Sequence, residues 1–220
     1  MRFRLTYSGP VRSTQRDAIG EQRDPGAAHK HDIRRAFHLQ MKQLWATNKF
    51  LSTHTLMRGA PLFSKPIGDE QSYWSGQTDD RAPMADAIAA RYQEYGYRFV
   101  PLVCEDFSLL CAIRILFLRR DVPGTVITAG DIDNRLKTVI DALRRPRNAN
   151  ELVGNEIPQA GEDPFFVLLE DDKLVTHLEV ETDTLLDAPS GNVDDHARAR
   201  LVITVDIRPY NLTYFNLSFA

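Results

Sequence analysis

Asp131-Ile132-Asp133-Asn134-Arg135-Leu136-Lys137-Thr138-Val139-Ile140-Asp141-Ala142-Leu143, preceded by Gly130, is the stretch on which the fold turns. Leu136, Val139, Ile140 and Leu143 recur at i, i+3, i+4 and i+7, which predicts an amphipathic helix over 131–144. Asp133, Lys137 and Asp141 follow one another at i, i+4 spacing and form a polar stripe opposite that face, with Asn134 beside it. Asp131 and Asp133 fall at the helix start, where free N–H groups and the helix dipole favour negative charge. Such a helix buries its apolar stripe against another layer, so its flanks are read for strands.

On the N-terminal side, 97–104 and 107–118 are apolar segments separated by Glu105-Asp106, which predicts a β-hairpin whose second strand is central. Asp121-Val122-Pro123-Gly124 ends it. On the C-terminal side, 145–163 has no period and reads as a surface insertion. Phe165–Leu169 is a short apolar run ending at Glu170-Asp171-Asp172, and strands follow at 174–182 and 201–207, joined by the polar stretch 187–199. Further out, Phe3, Leu5 and Tyr7 alternate with Arg2, Arg4 and Thr6, a strand over 2–8, and a loop runs to about His29. Ile33, Phe37, Met41 and Leu44, with Trp45, mark a helix over 31–46. Residues 50–82 read as loop, and a helix over 84–95 stops at Gly96. The order β-α-α-β-β-α-β-β predicts one α+β (α/β) domain over 1–220: a mixed sheet with helices packed on it, an enlarged N-terminal region over 1–96, and an insertion before the last strands. The tail 210–220 is apolar enough to pack on the core or on a partner.

The 220 residues are 43% hydrophobic and 26% charged, which excludes general disorder and a collagen-like repeat. No apolar run approaches the ~20 residues of a membrane span, and the first residues lack the apolar centre of a signal peptide. Cys104 and Cys111 are too far apart for a CxxC site and are expected as reduced core thiols. A soluble, cytoplasmic chain is the expectation. The net charge is −3, so the molecule as a whole has no basic excess, but residues 1–60 carry eleven Lys/Arg against four Asp/Glu while 161–200 carry three against eleven.

Phosphoryl-transfer sites hold magnesium with a few carboxylates from separate elements, and a nearby cation neutralises charge developing on the phosphate. Asp131, Asp133 and Asp172, with Asp171 beside it and Lys137 as cation, supply that inventory. The same residues also suit a well-built helix in which Asp131 caps and Asp133 pairs with Lys137. An EF-hand is excluded: counting from Asp131, Leu136 stands where the loop needs Gly and Ala142 where it needs Glu. The chain has no G-x-S-x-G elbow, no P-loop and no nucleophilic cysteine constellation.

The helix Asp131 to Leu143, followed by the hydrophobic-Asp-Asp run ending at Asp172, resembles the RusA-type Holliday junction resolvase family, whose hallmark is a D-x-D-N-x-x-K-x-x-x-D-A-L helix and then a hydrophobic-D-D turn into a strand. The similarity covers roughly residues 97–208, about half the chain. It implies a homodimeric endonuclease that depends on Mg2+, or Mn2+ in its place, and cuts branched or structured DNA. By matching positions, Asp131, Asp133 and Asp172 are metal ligands, Asp171 a supporting acid at the same metal, and Lys137 the transition-state cation; Asn134 and Asp141 orient the helix. The chain departs from the family in the residues 144–163 inserted before the Asp-Asp turn and in its slightly acidic balance.

Arg144, Arg145 and Arg147, directly after the helix, are candidate DNA contacts, as are Arg2, Arg4, Arg34 and Arg35. His177 and Glu179 share a strand face and are secondary candidates for the site. His29-x-His31 has no partner set for zinc and reads as a loop pair. Two other functions stay open: a DNA-structure-binding protein of the same fold without turnover, and a partner-binding domain that docks through its acidic stretch and apolar tail.

Overall fold

The computed structural model describes residues 1–12, 26–57, 81–120, 131–186, 197–213 and 215–219. The Asp121–Gly124 break, most of the loops expected at 9–29 and 50–82, most of the polar stretch 187–199 and the side chain of Asp131 lie outside the described residues. In chain order the elements are β1 (Arg2–Pro10), α1 (Ala27–Thr47), α2 (Lys49–Thr53), β2 (Thr55–Met57), β3 (Arg81–Pro83), α3 (Met84–Arg91), β4 (Gln93–Glu94), β5 (Tyr97–Val103), β6 (Leu109–Arg119), α4 (Asp131–Leu143), β7 (Phe165–Leu169), β8 (Val175–Thr184) and β9 (Arg198–Pro209). This is the expected mixed α+β architecture. Among the described residues no helix is long and apolar enough to cross a membrane.

The main sheet has the order β1-β9-β6-β8. β9 is antiparallel to both β1 and β6, whereas β6 and β8 are parallel. A parallel pair needs a long crossover, and here that crossover contains α4 and β7. Alternation along the strands decides the buried face: Leu5, Ile113, Ile115, Phe117, Leu201, Ile203 and Val205 are essentially inaccessible, while the residues between them reach solvent. Against that buried face lie the apolar stripes of α1 (Ile33, Phe37, Met41, Trp45) and α4 (Val139, Ala142, Leu143) within one continuous core.

The expected hairpin of the two segments after residue 97 does not form. β5 pairs in parallel with β7 and antiparallel with β4 in a separate three-stranded sheet, and β6 runs through the interior of the main sheet as expected. The physical reason is in the burial: six of the seven residues of β5 are buried, so it needs cover on both faces, whereas β6 alternates in its second half. The switch is made by a 3-10 turn at Glu105–Phe107 and by Ser108 in the left-handed region at φ 51°. The helix expected to reach residue 95 ends at Arg91, because Tyr95 and Gly96, both at positive φ, turn β4 back onto β5. Nor is 145–163 merely a surface loop: it forms a 3-10 turn at Ala149–Leu152 and buries Glu151, Leu152 and Glu162. Both cysteines are buried free thiols, and burial pushes that of Cys111 up to about 12.

Candidate functional site

The apolar face of α4 is buried at Ile132, Val139, Ala142 and Leu143, which turns Asp133 and Lys137 outward. These two stand one turn apart, both exposed, yet among the described residues neither makes an ion pair with the other or with anything else. Asn134 is half-buried, and its carbonyl accepts a hydrogen bond from the Thr138 hydroxyl at 3.0 Å.

Asp141 leaves the exposed stripe. Four residues advance a helix by 400°, so each step drifts about 40° around the axis, and two steps from Asp133 carry Asp141 under the cover of α1. It is 6% exposed, with Lys30 Nζ at 3.5 Å and Arg144 Nη2 at 2.7 Å. Arg144, expected to contact DNA, is 3% exposed: it also donates to both carboxylate oxygens of Glu151, at 3.1 and 3.0 Å, and to the carbonyl of Arg145. Its burial rules out phosphate contact. Arg34 is fully buried and donates to the carbonyls of Arg144 and Asp141, both at 3.0 Å, and burial lowers its pKa to about 10 against the pull of Glu151. Arg35 is drawn onto Glu162 at 2.6 Å. His31 is not in a loop; it sits buried in the first turns of α1, between Arg34 Nη1 and the Tyr97 hydroxyl, and burial, with Arg34 and Arg35, pushes its pKa down to about 3.

The Asp171-Asp172 turn follows β7. The Asp171 carboxylate accepts from the backbone N–H of Lys173 at 2.9 Å, and Arg147 reaches Asp171 Oδ1 at 3.4 Å while donating to Asp172. Burial, then a hydrogen bond with Asp171, raises the Asp172 pKa; burial pushes Asp171 the same way, but the Lys173 N–H and Arg147 outweigh it and leave Asp171 lowered. Arg145 pairs with Glu94, lies near Glu170 and stacks over the Tyr92 ring at 5.5 Å. All three arginines after α4 therefore meet the protein's own carboxylates, and only Arg147, half-exposed, keeps much surface.

The two acidic groups lie at opposite ends of α4. Arg144 bridges to Leu169, and the Arg145 N–H donates to the Leu169 carbonyl at 3.0 Å, so the C-terminal end of α4 abuts the end of β7 and the Asp171-Asp172 turn. Asp133 stands ten residues before Leu143, about 15 Å of helix rise away. Carboxylates bind magnesium at about 2.0–2.1 Å, so Asp133 and Asp172 of one chain do not share an ion. Among the described residues no three His, Cys, Asp or Glu side chains group closely enough to hold a metal.

His177 and Glu179 do not approach α4. They project from the open face of the main sheet, where Leu110, Ala112, Arg114, His177 and Arg208 line a cavity of about 390 Å3. Sequence reasoning missed the ordered charges of this face, although the even-numbered residues of β9 (Arg198, Arg200, Thr204, Asp206, Arg208) carried the signal as a polar period of two. It also missed Glu151 and Glu162, whose burial no local pattern announces. No family model, curated protein or solved structure matches the chain.

Proposed function

We propose that this chain is a magnesium-dependent endonuclease of the RusA type, cleaving phosphodiester bonds in branched or structured DNA. The observation that carries the reading is the state of Asp133 and Lys137: a carboxylate and an amine one turn apart, exposed at the start of a helix and unspent on each other. An ion pair between them is what a purely structural helix face calls for. The order of strand, motif helix and parallel strand, with the Asp-Asp turn at the entry to β8, supports it further.

Magnesium takes one or two carboxylates, keeps several waters and draws other ligands from substrate phosphate. Asp131 and Asp133 are the residues to hold it on this reading, without Asp171 and Asp172 of the same chain. When bound, the ion polarises the phosphate and lowers the pKa of a bound water. The protein's own part is positional: the helix start favours the anionic phosphate, and the Lys137 ammonium offsets negative charge as it develops. Asn134 and Asp141 hold the helix in register.

The test is incubation of the pure protein with four-way, flap and linear DNA, with and without Mg2+ or Mn2+. Asp133→Asn is expected to lower cleavage by at least about a hundredfold while leaving branched-DNA binding and thermal stability in place. An unchanged rate refutes the assignment. A second reading, a DNA-structure-binding protein of this fold without turnover, is favoured by the separation of the two acidic groups; it predicts shifted DNA on a gel and no products with either metal.

A further inference from the structure

The main sheet has two edges, β1 and β8, and they are finished differently. On β1 the backbone of Thr6 is met by the side-chain amide of Gln40 on α1. The Thr6 N–H donates to Gln40 Oε1 at 2.9 Å, and Gln40 Nε2 donates to the Thr6 carbonyl at 2.7 Å. Gln40 stands there in the place of a neighbouring strand. Along β8, among the described residues, no backbone group bonds outward to another segment.

The register decides which groups face outward. Pairing with β6 keeps one offset from Ala112 opposite His177 to Arg119 opposite Thr184, and the Leu185 N–H donates to the Arg119 carbonyl at 2.7 Å. In a parallel pair alternate residues of a strand bond the partner, so the odd-numbered residues of β8 face β6 and the even-numbered ones face away. Leu178, Val180 and Thr182 therefore turn their N–H and carbonyl groups away from the sheet, while the Thr184 N–H is capped at 2.7 Å by the Asp183 carboxylate. Their side chains divide by face as well. His177, Glu179, Glu181 and Asp183 lie exposed on the open face; Glu179 is drawn to Arg114 at 3.1 Å, and Glu181 and Asp183 make no ion pair among the described residues. On the other face Val180 packs on the core and Leu178 is 44% exposed. Edge strands are commonly guarded by lysine, proline or inward-pointing charge, and β8 has none of these. Its guards are the acids of one face, which repel an acidic strand and attract a basic one.

We infer that β8 accepts, as a fifth strand on the four-stranded main sheet, an extended segment of another protein in which Lys or Arg alternates with Val, Ile or Leu. The backbone of that segment bonds Leu178, Val180 and Thr182, which supplies affinity, and its side chains supply specificity. Its basic residues stand beside Glu179, Glu181 and Asp183, and its apolar ones beside Leu178 and Val180. Directly opposed side chains of paired strands are about 4.5–5.5 Å apart, within reach of an ion pair. A second copy pairing β8 with β8 sets acid against acid, and the same carboxylates turn a nucleic acid away. The inference goes beyond the nuclease reading and stands without it.

The test titrates the full chain, in low salt and without DNA or divalent ions, with a blocked nine-residue peptide of alternating lysine and valine. Fluorescence anisotropy of the labelled peptide reads affinity, and amide chemical shifts read location. Saturable binding below about 1 mM is expected, with the shifts concentrated in 176–184. The same peptide N-methylated at every residue keeps its charges but has no N–H to donate, and is expected to bind at least tenfold more weakly. Glu181→Lys with Asp183→Lys is expected to lose the lysine peptide by a similar factor and to bind one of alternating glutamate and valine instead. Thr182→Pro removes an N–H that faces away from β6 and spares the pairing with it, so it is expected to weaken binding at least tenfold at nearly unchanged Tm. No binding at about 1 mM overturns the inference, as does equal binding of the N-methylated peptide, which reduces the effect to charge attraction. A wild-type dimer that Thr182→Pro dissociates also overturns it and assigns the edge to a second copy.

Discussion

At the N-terminal end of α4, Asp133 and Lys137 stand a turn apart in solvent, without an ion pair among the described residues; at its C-terminal end, Asp141 and Arg144 are buried and joined at 2.7 Å. The residue types match and the spacing is similar, so local sequence does not distinguish the two ends. The difference is made by α1 and by the turn at Ala149–Leu152, which bring Lys30, Arg34 and Glu151 to the second end. Charge at that end holds three segments of chain together; charge at the first end faces solvent.

Breaking the buried end is expected to give the largest effect. Arg144→Met removes the group that neutralises both Asp141 and Glu151, and stripping one partner from a buried ionic network costs about 3–5 kcal/mol. Equilibrium urea unfolding measures it, with a fall in Tm of roughly 10 °C for a domain of this size. A loss under 1 kcal/mol means that these carboxylates are solvated in the folded protein and that the contrast between the two ends is false.

The same burial makes the C-terminal end sensitive to acid. His31 is neutral in the fold, its pKa pushed down to about 3 by burial and by Arg34 and Arg35, against about 6.5 in the unfolded chain. The unfolded state therefore binds the proton more readily, and stability is fully present above pH 6.5 and falls as the pH drops from there toward 3. Between pH 6.5 and 4.5 the loss from this group is about 2 kcal/mol. Urea midpoints across that range, compared with those of His31→Gln, isolate it: the variant is expected to show a flatter slope. Equal slopes would remove His31 from the account.

How far this arrangement was legible depended on whether a side chain's environment is local. The periods of α1, α4 and β1 were readable because each turns one face inward, and the face shows in the spacing of Ile33, Phe37 and Met41 or of Phe3, Leu5 and Tyr7. The pairing of β5 was not readable, since a strand buried on both sides carries no alternation to separate a hairpin from a sheet switch. Within the candidate site, the outward turn of Asp133 and Lys137 followed from the helix stripe. The burial of Asp141 and Arg144 did not, because Lys30 and Arg34 are more than a hundred residues away in sequence. The distance between Asp133 and Asp172 was equally hidden: a motif gives the order of its parts, and only the parallel pairing of β6 with β8, which sends α4 from one end of the sheet to the other, separates them.

Lys137→Met sharpens the contrast from the exposed end and is expected to have the smallest effect on stability. With no ion pair to lose and a side chain already in solvent, it should stay within about 0.5 kcal/mol of the wild type, since lysine and methionine have nearly equal helix propensity. The same substitution removes the amine proposed to face the phosphate, so cleavage of branched DNA is expected to fall about a hundredfold at unchanged Tm. The two measurements together separate a ligand-facing charge from a structural one. A structural lysine loses stability and activity in proportion, whereas here activity should fall alone. If Lys137→Met lowers Tm by several degrees, the amine has a partner in the folded chain, and the two ends of α4 differ in exposure but not in role.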